Sequence, residues 1–236
     1  MKEISIIDMF NAKIHFGHLK RFVSPKMFNY IYTVSNKISI INLDLTLKKF
    51  VTALNFLENI VKKNGVILFI GTKKQASDLV KEYAEKVSMP YINFRWLGGL
   101  LTNYKTIRLS IDKLNDLDST SNRIDTHGLK KKEILLKNRK LLKLKSNFYG
   151  IRNLKNLPDA IFVIDVGYES ISIAEANKLS IPIVGIVDTN TNPSNIDYVI
   201  PGNDDSSDSI KFYLEHVCSV IMNVKNQNKE KIWIYH

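Results

Sequence analysis

The stretch that decides the fold is Val66-Ile67-Leu68-Phe69-Ile70-Gly71-Thr72. Its first five residues are all apolar, which is typical of a strand that is covered on both faces of a sheet. A helical pattern follows, with apolar residues at Ala76, Leu79, Val80, Tyr83 and Val87. A strand followed directly by a helix is the repeating unit of an α/β fold.

The same unit recurs on both sides of this stretch. A helix is predicted before it, ending at Gly65, and a last helix is predicted from Ser206 to about Met222. Further strands are predicted at Ile38 to Leu43, Tyr91 to Phe94, Ala160 to Ile164, Ile183 to Val187 and Asp197 to Ile200. The pattern predicts one α/β domain over residues 1–236, with a doubly wound, mostly parallel sheet of the flavodoxin or Rossmann kind.

Residues 104–155 interrupt this alternation. Apolar side chains recur at spacings of three and four, and then of seven, at Tyr104, Ile107, Ile111, Leu114, Ile134, Leu141 and Phe148. A polar break from Asp116 to Gly128 separates the two series. Two apolar stripes joined by a polar turn predict an inserted antiparallel coiled-coil helical hairpin.

The positive charge of the chain is concentrated on this insertion. The chain has 34 Lys and Arg against 23 Asp and Glu, a net charge of +11. The second predicted helix carries Lys130, Lys131, Lys132, Lys137, Arg139, Lys140, Lys143 and Lys145, with Glu133 as its only acid. Lysine-rich helices are often inert soluble surfaces, but the lopsided charge and the aromatic residues beside other cations favour a nucleic acid, most simply RNA.

The sequence contains no nucleotide-binding motif. Gly71-Thr72-Lys73 has the wrong order and spacing for a phosphate-binding loop, and no G-x-G-x-x-G follows a strand. Carboxylates follow several predicted strands, at Asp165, Asp188, Asp204 and Asp205. They can cap helices and fix turns, or hold Mg²⁺ near Asp188, Asp204 and Asp205. A Mg²⁺-dependent hydrolase using Asp165, Asp188 and Asp204 is therefore kept as an alternative, and it requires these carboxylates to converge.

Other features narrow the class of protein. The single cysteine, Cys218, lies in an apolar helical pattern and is interpreted as a buried packing thiol. No apolar run reaches the roughly 20 residues of a membrane helix, and residues 1–5 lack the features of a targeting peptide, so we expect a cytoplasmic protein. The polar segment 225–236 is predicted to be a mobile tail, although it ends in Ile232-Trp233-Ile234-Tyr235.

Several short motifs occur in an order that is familiar from one family. They are His15-Phe16-Gly17-His18, Pro25-Lys26-Met27, Ile40-Ile41-Asn42-Leu43, Gly71-Thr72-Lys73, Arg95-Trp96-Leu97-Gly98-Gly99 with Leu101-Thr102-Asn103, Leu157-Pro158-Asp159-Ala160, Ile181-Pro182, Val187-Asp188-Thr189-Asn190 and Ile200-Pro201-Gly202-Asn203-Asp204-Asp205. Together they span Ile6 to Met222, and the chain resembles the small-subunit ribosomal protein number two family. The last motif is more similar to bacterial members than to chloroplast ones.

The resemblance implies a non-enzymatic component of the small ribosomal subunit, without a cofactor. It implies contacts to small-subunit ribosomal RNA, to neighbouring ribosomal proteins and to the messenger-binding protein number one. The RNA-binding candidates are His15, His18, Lys20, Arg21, Lys26, Arg95, Trp96, Asn103, Lys105, Arg108, Lys130, Lys131, Lys132, Lys137, Arg139, Lys140, Lys143, Lys145 and Arg152.

The sequence departs from the family pattern in a few places. Phe22-Val23-Ser24 precedes the Pro-Lys-Met motif where an aromatic residue and Asn are common, and Tyr149 replaces a common Gly. Abundant Lys, Asn and Ile suggest a bacterium with an A+T-rich genome, in which part of the lysine excess reflects mutation rather than RNA contacts. A protein-only adaptor with an acidic partner is a third alternative.

Overall fold

The computed structural model describes residues 4–121 and 131–234. It contains eight strands in this part of the chain: β1 (Phe16–Leu19), β2 (Ile31–Ser35), β3 (Ile38–Ile41), β4 (Ile67–Ile70), β5 (Tyr91–Ile92), β6 (Ala160–Val163), β7 (Ile183–Val187) and β8 (Tyr198–Pro201). The α-helices are α1 (Ile6–Asn11), α2 (Leu43–Lys62), α3 (Lys74–Lys86), α4 (Tyr104–Ser121), α5 (Lys131–Phe148), α6 (Ser170–Lys178) and α7 (Ser207–Ile234).

The main sheet has five strands in the order β5-β4-β6-β7-β8, and every neighbouring pair is parallel. Counted along the chain, these strands lie in the spatial order 2-1-3-4-5, which is the flavodoxin-like arrangement. The prediction of an α/β protein with a mostly parallel sheet is confirmed. All four residues of β4 are buried, as its unbroken apolar sequence predicted.

Helices cover both faces of this sheet. One core cluster joins Phe50 of α2, Val80 of α3 and Leu214 of α7 to the strands. The opposite cluster joins Ile173 of α6 and Ile111 of α4 to the alternate residues of the same strands. Because β4 leads to α3 and β6 leads to α6, the chain leaves these two adjacent strands towards opposite faces.

The predicted strand at Ile38 to Leu43 does not belong to the main sheet. Residues Ile38–Ile41 form the centre of a separate antiparallel sheet, in the order β1-β3-β2. Asn36 and Lys37 both have positive φ, which matches the tight turn that joins β2 to β3. The other two strands of this sheet, β1 and β2, were not predicted from the sequence; they are short, and neither contains a buried residue.

The inserted helix pair, α4 and α5, lies between β5 and β6. Apart from Ile134, whose side chain lies outside the described residues, the residues of its predicted apolar stripes pack on the second core cluster, where Ile111, Leu114 and Phe148 are buried. Helix α4 continues to Ser121, so the polar break does not begin at Asp116 as predicted. Residues 122–130, which include the rest of that break and Lys130, lie outside the described residues.

The last helix also extends further than predicted, to Ile234 rather than about Met222. Lys225, at the start of the predicted tail, donates a hydrogen bond from Nζ to the carbonyl of Val87. Cys218 is buried in this helix, as expected, and burial raises the pKa of its thiol to about 12. No helix in residues 4–121 and 131–234 is long and apolar enough to span a membrane.

Gly150 closes the insertion against the edge of the main sheet. A Cβ at this position would overlap the carbonyl oxygen of Tyr91 and lie 2.7 Å from its ring. By contrast, a Cβ at Gly98 would meet nothing within 4 Å. Both glycines flank the inserted helix pair, so they form a matched pair for substitution.

We predict that Gly150→Ala lowers the free energy of unfolding by about 1–3 kcal/mol, because the backbone of β5 cannot move away without breaking its pairing with β4. Gly98→Ala should change it by less than about 0.5 kcal/mol. Urea denaturation followed by circular dichroism measures both. Equal stability of the two variants would show that the segment after α5 does not need the close contact between Gly150 and Tyr91.

Candidate nucleic-acid interface

The joint between β5 and α4 is held by one carboxylate. Glu175 of α6 is buried, and its two oxygens accept five hydrogen bonds. The donors are the Trp96 indole, the backbone amides of Gly99, Leu101 and Thr102, and the Thr102 hydroxyl. The carboxylate therefore fixes the start of the inserted helix pair against the main sheet.

The charge of Glu175 is stabilised by these donors. Burial acts to raise the pKa of Glu175, but the hydrogen bonds from Trp96 and the loop amides outweigh it, so the pKa lies below its ordinary value. Gly99 has φ of 85°, a left-handed conformation that glycine adopts without strain. The glycine therefore allows a tight backbone joint here, whereas nothing in the sequence singled out Glu175.

Lys73 organises the carboxyl ends of the parallel strands. Its Nζ lies 2.8 Å from Asp165, 3.1 Å from Asp204 and 2.6 Å from Asp205. Lys73 itself follows β4, Asp165 follows β6, and the other two aspartates follow β8. The lysine therefore links residues at the ends of three strands. Two carboxylates of the hydrolase alternative, Asp165 and Asp204, thus meet on a lysine of the protein, whereas the third, Asp188, pairs with His18.

Asp204 is the most perturbed group of this cluster. Burial first, and then repulsion by Asp165 and Asp188, raise its pKa to about 8, although Lys73 acts in the opposite direction. One ammonium faces three carboxylates, so a proton on Asp204 relieves the repulsion that remains.

The two histidines among the RNA-binding candidates, His15 and His18, lie in different environments. The Nδ1 of His18 is 3.1 Å from Asp188, and its Nε2 is 3.4 Å from Asp205. The pKa of His18 is raised, mainly by the hydrogen bond to Asp188. His15 is buried and stacks on Phe10, and burial lowers its pKa.

His18, Asp188 and Asp205 could together hold a cation, since their ligand atoms lie within 4.8 Å of one another. Asp188 and Asp205 belong to the predicted magnesium set, whereas Asp204 faces Lys73 instead. An imidazole nitrogen is a poor ligand for Mg²⁺, which prefers oxygen.

The cations of α5 face outward where the structure describes them. Lys132, Arg139, Lys140 and Lys143 are exposed, and they make no ion pair or side-chain hydrogen bond with the described part of the chain. We call these four residues the basic face; their spacings of three, four and seven place them along one side of the helix. The side chains of Lys131 and Lys137 lie outside the described residues, as does Lys130.

Other predicted cations are partly neutralised. Lys145 and Arg152 both pair with Asp118, at 2.6 Å and 3.8 Å. Arg108 donates to the carbonyl of Leu154 and pairs with Asp112. These three residues stabilise the inserted helix pair, so less of their charge is available to a partner.

The remaining candidates divide by exposure. Trp96 is buried, with its indole bound to Glu175, so its ring does not lie at the surface. Five other candidates are exposed: Lys20, Arg21, Arg95, Asn103 and Lys105. Lys26 is exposed too, and its Nζ bonds to Ser194 at 2.6 Å. Arg21 lies over the ring of Phe22, 4.6 Å from its centre.

We predict that the stability of the protein falls as the pH rises from about 4 to 8. The folded chain holds a proton on Asp204 over this window and the unfolded chain does not, which contributes up to about 1.4 kcal/mol per pH unit. Asp204→Asn should remove that part of the decline. The raised pKa values of Glu169 and His18 act with the same sign above about 4.5 and 6.5, and the lowered pKa of His15 acts with the opposite sign below 6.5. The difference in slope between the variant and wild type therefore reports Asp204, rather than the slope of either protein alone. An unchanged slope in the variant would assign the decline to other groups.

Glu175→Gln should lower the free energy of unfolding by about 2–4 kcal/mol, because the amide nitrogen turns one acceptor into a donor that faces other donors. Thermal or urea denaturation measures the loss, and tryptophan fluorescence should report a more polar environment for Trp96. Glu82→Gln is the control, since it removes the same charge from an exposed pair with Lys86. Equal effects of the two substitutions would contradict the role assigned to Glu175.

The chain matches a family model described as "Ribosomal protein S2" over residues 9–223. It is 50% identical over 217 residues to "Small ribosomal subunit protein uS2" of Hahella chejuensis, an alignment that covers 92% of this chain and 86% of the relative. It is 47% identical over 235 residues to the protein of the same name from Buchnera aphidicola subsp. Acyrthosiphon pisum (strain Tuc7), covering 99% of this chain and 96% of the relative.

The matched region includes the whole main sheet, the Glu175 joint, the Lys73 cluster and the inserted helix pair. Members of the family are structural components of the ribosome and not enzymes, so the converging aspartates serve the fold rather than a hydrolase. The chain belongs to the ribosomal protein S2 family, as a protein of the small ribosomal subunit.

Proposed function

We propose that this protein binds small-subunit ribosomal RNA through the basic face of α5 and through the N-terminal loop, His15 to Lys26. The observation that carries the proposal is the set of four exposed cations on α5 that the described protein leaves without acidic partners. Each cation that pairs with a phosphate releases counterions condensed on the RNA. This release favours binding of the basic face to RNA.

In this proposal α4 and α5 are the arms of an antiparallel coiled-coil hairpin that projects from a single α/β domain. The Glu175 joint holds its first arm, and the Gly150 contact with Tyr91 holds its second. The ion pair between Asp118 and Lys145 joins the two arms. A rigid arm presents its cations in a fixed register, which costs less entropy on binding than a flexible tail would.

The N-terminal loop supplies a second contact. Lys20 and Arg21 are exposed on it, and Arg21 shields one face of Phe22. The loop is fixed to the main domain by Ser24, whose amide donates to the carbonyl of Thr189, and by the bond from Lys26 to Ser194. The amide of His18 donates to the Thr189 hydroxyl, 2.8 Å away. These bonds keep the two exposed cations in a fixed position.

Neighbouring ribosomal proteins are proposed as further partners, with protein number one among them, in the cytoplasm of a bacterium with an A+T-rich genome. Exposed aromatic side chains near the loop, Phe22, Phe28 and Tyr32, support a protein contact there. Mg²⁺ beside Asp188 and Asp205 remains a prediction, to be tested by adding the ion to metal-free protein and following thermal stability.

We predict that replacing Lys132, Arg139, Lys140 and Lys143 by Gln weakens binding to protein-free small-subunit ribosomal RNA. The slope of log K against log salt should become shallower by about 0.7–0.9 for each phosphate contact that is lost. Filter binding at several salt concentrations measures both. Incorporation into small subunits on a sucrose gradient should fall in parallel.

The matched control replaces four exposed lysines elsewhere, Lys48, Lys49, Lys81 and Lys178, by Gln. It removes the same charge, so a shared loss of affinity would indicate only a net-charge effect. Wild-type affinity and incorporation of the basic-face variant would show that α5 does not face RNA. Binding of wild-type protein to an acidic protein but not to ribosomal RNA would favour the adaptor alternative.

A further inference from the structure

A cleft opens at the carboxyl ends of β5, β4 and β6, and none of its lining residues belongs to the basic face. It has a volume of about 420 Å³ and is lined by Thr72 after β4, by Phe94 and Arg95 after β5, and by Tyr168 and Glu169 after β6. The chain leaves β4 and β6 towards opposite faces of the sheet, and open α/β sheets bind ligands at such a switch point. The Lys73 ion pairs occupy the other part of the same edge, so the cleft is the part that remains open.

Two solvent-exposed aromatic side chains line the cleft. Phe94 is 61% exposed and Tyr168 is 64% exposed, whereas Phe69 and Phe162 of the neighbouring strands are fully buried. Both exposed rings are attached to fixed backbone. Asn93 donates to Ser77 of α3, and the amide of Tyr168 donates to Asp165. Rigid aromatic surfaces of this kind bind ligands at a low cost in conformational entropy.

Two polar groups of the cleft have no partner within the described chain. Arg95 is exposed and makes no ion pair or side-chain hydrogen bond there. Glu169 is buried, and both of its hydrogen bonds, from the amide and the hydroxyl of Thr72, go to Oε1. Its Oε2 therefore accepts no hydrogen bond from the described residues.

We propose that this cleft binds one unpaired RNA base that carries an exocyclic amino group. The base stacks on Phe94 and Tyr168, its amino group donates to Oε2 of Glu169, and Arg95 pairs with an adjacent phosphate. Aromatic stacking platforms combined with a nearby cation are the usual means of holding single-stranded RNA. A carboxylate oxygen accepts a hydrogen bond from the exocyclic amino group of adenine, cytosine or guanine. Uracil has no exocyclic amino group.

This inference rests on the proposed binding of ribosomal RNA, but it involves different residues and a different physical interaction. Stacking releases no counterions, so its loss lowers affinity without changing the salt slope, whereas loss of the basic face changes both. The two proposals can therefore fail separately.

The first test compares Phe94→Ala/Tyr168→Ala with wild type in binding to protein-free small-subunit ribosomal RNA. We expect affinity to fall about tenfold or more, with an unchanged salt slope. Ile7→Ala is the control, because Ile7 is 70% exposed and lies outside the cleft. Wild-type affinity in the double variant, alongside weakened binding of the basic-face variant, would overturn the cleft inference alone. Absence of wild-type binding would overturn both proposals.

The second test concerns the base. Short single-stranded homopolymers compete with labelled ribosomal RNA, and adenylate and cytidylate should compete better than uridylate. Glu169→Gln keeps an oxygen for Thr72 but presents an amide donor to the cleft, so it should reduce or reverse this preference. Equal competition by uridylate would contradict the role of Glu169. Reduced incorporation into subunits with full affinity for naked RNA would assign the cleft to a protein neighbour and overturn the proposal.

Discussion

The position of the inserted helix pair depends on the five hydrogen bonds that the Glu175 carboxylate accepts. The exposed RNA-binding candidates on these helices depend on the same bonds for their position. The five donors lie on a loop that leaves the sheet at β5 and must reverse into α4 within a few residues. Without an internal acceptor, these amides would have to face water or remain unsatisfied in a buried joint. Because α6 belongs to the main domain, the carboxylate transmits the rigidity of the sheet to the inserted helix pair. It also fixes Trp96, which lines the cleft beside Phe94 and Arg95.

The carboxyl edge of the sheet shows how a fold associated with ligand binding can serve a structural role. Lys73 and His18 bind the aspartates that follow β6, β7 and β8, so the carboxylates of this part of the edge are held by ion pairs within the protein. A catalytic centre would need those carboxylates to be free for a metal or a water molecule. Here they connect the N-terminal loop, α3 and the start of α7 to one another. The edge is open where β5, β4 and β6 end, and two exposed aromatic rings, Phe94 and Tyr168, line the opening.

The sequence predicted the features that depend on local patterns. Unbroken apolar runs identified β4, β6 and β7, and helical spacing identified α2, α3 and the inserted helix pair. It did not predict the strands β1 and β2, because short exposed strands have no distinctive pattern. It could not identify Glu175, which lies 79 residues from Trp96, or the pairing of Lys73 with Asp204, which are 131 residues apart. The same burial makes Trp96, an RNA candidate from its motif, part of the core.

The distribution of acids explains why the surface is more basic than the composition indicates. Asp165, Glu169, Glu175, Asp188 and Asp204 are all buried, and they are satisfied mainly by amides, hydroxyls, His18 and the single ammonium of Lys73. These carboxylates contribute to the net charge of +11, but they are not available to neutralise cations at the surface. A polyanion that approaches α5 therefore meets a larger excess of positive charge than the residue count gives. Since the buried acids also hold the joint and the strand edge, the interactions that stabilise the fold are the ones that leave the basic face uncompensated.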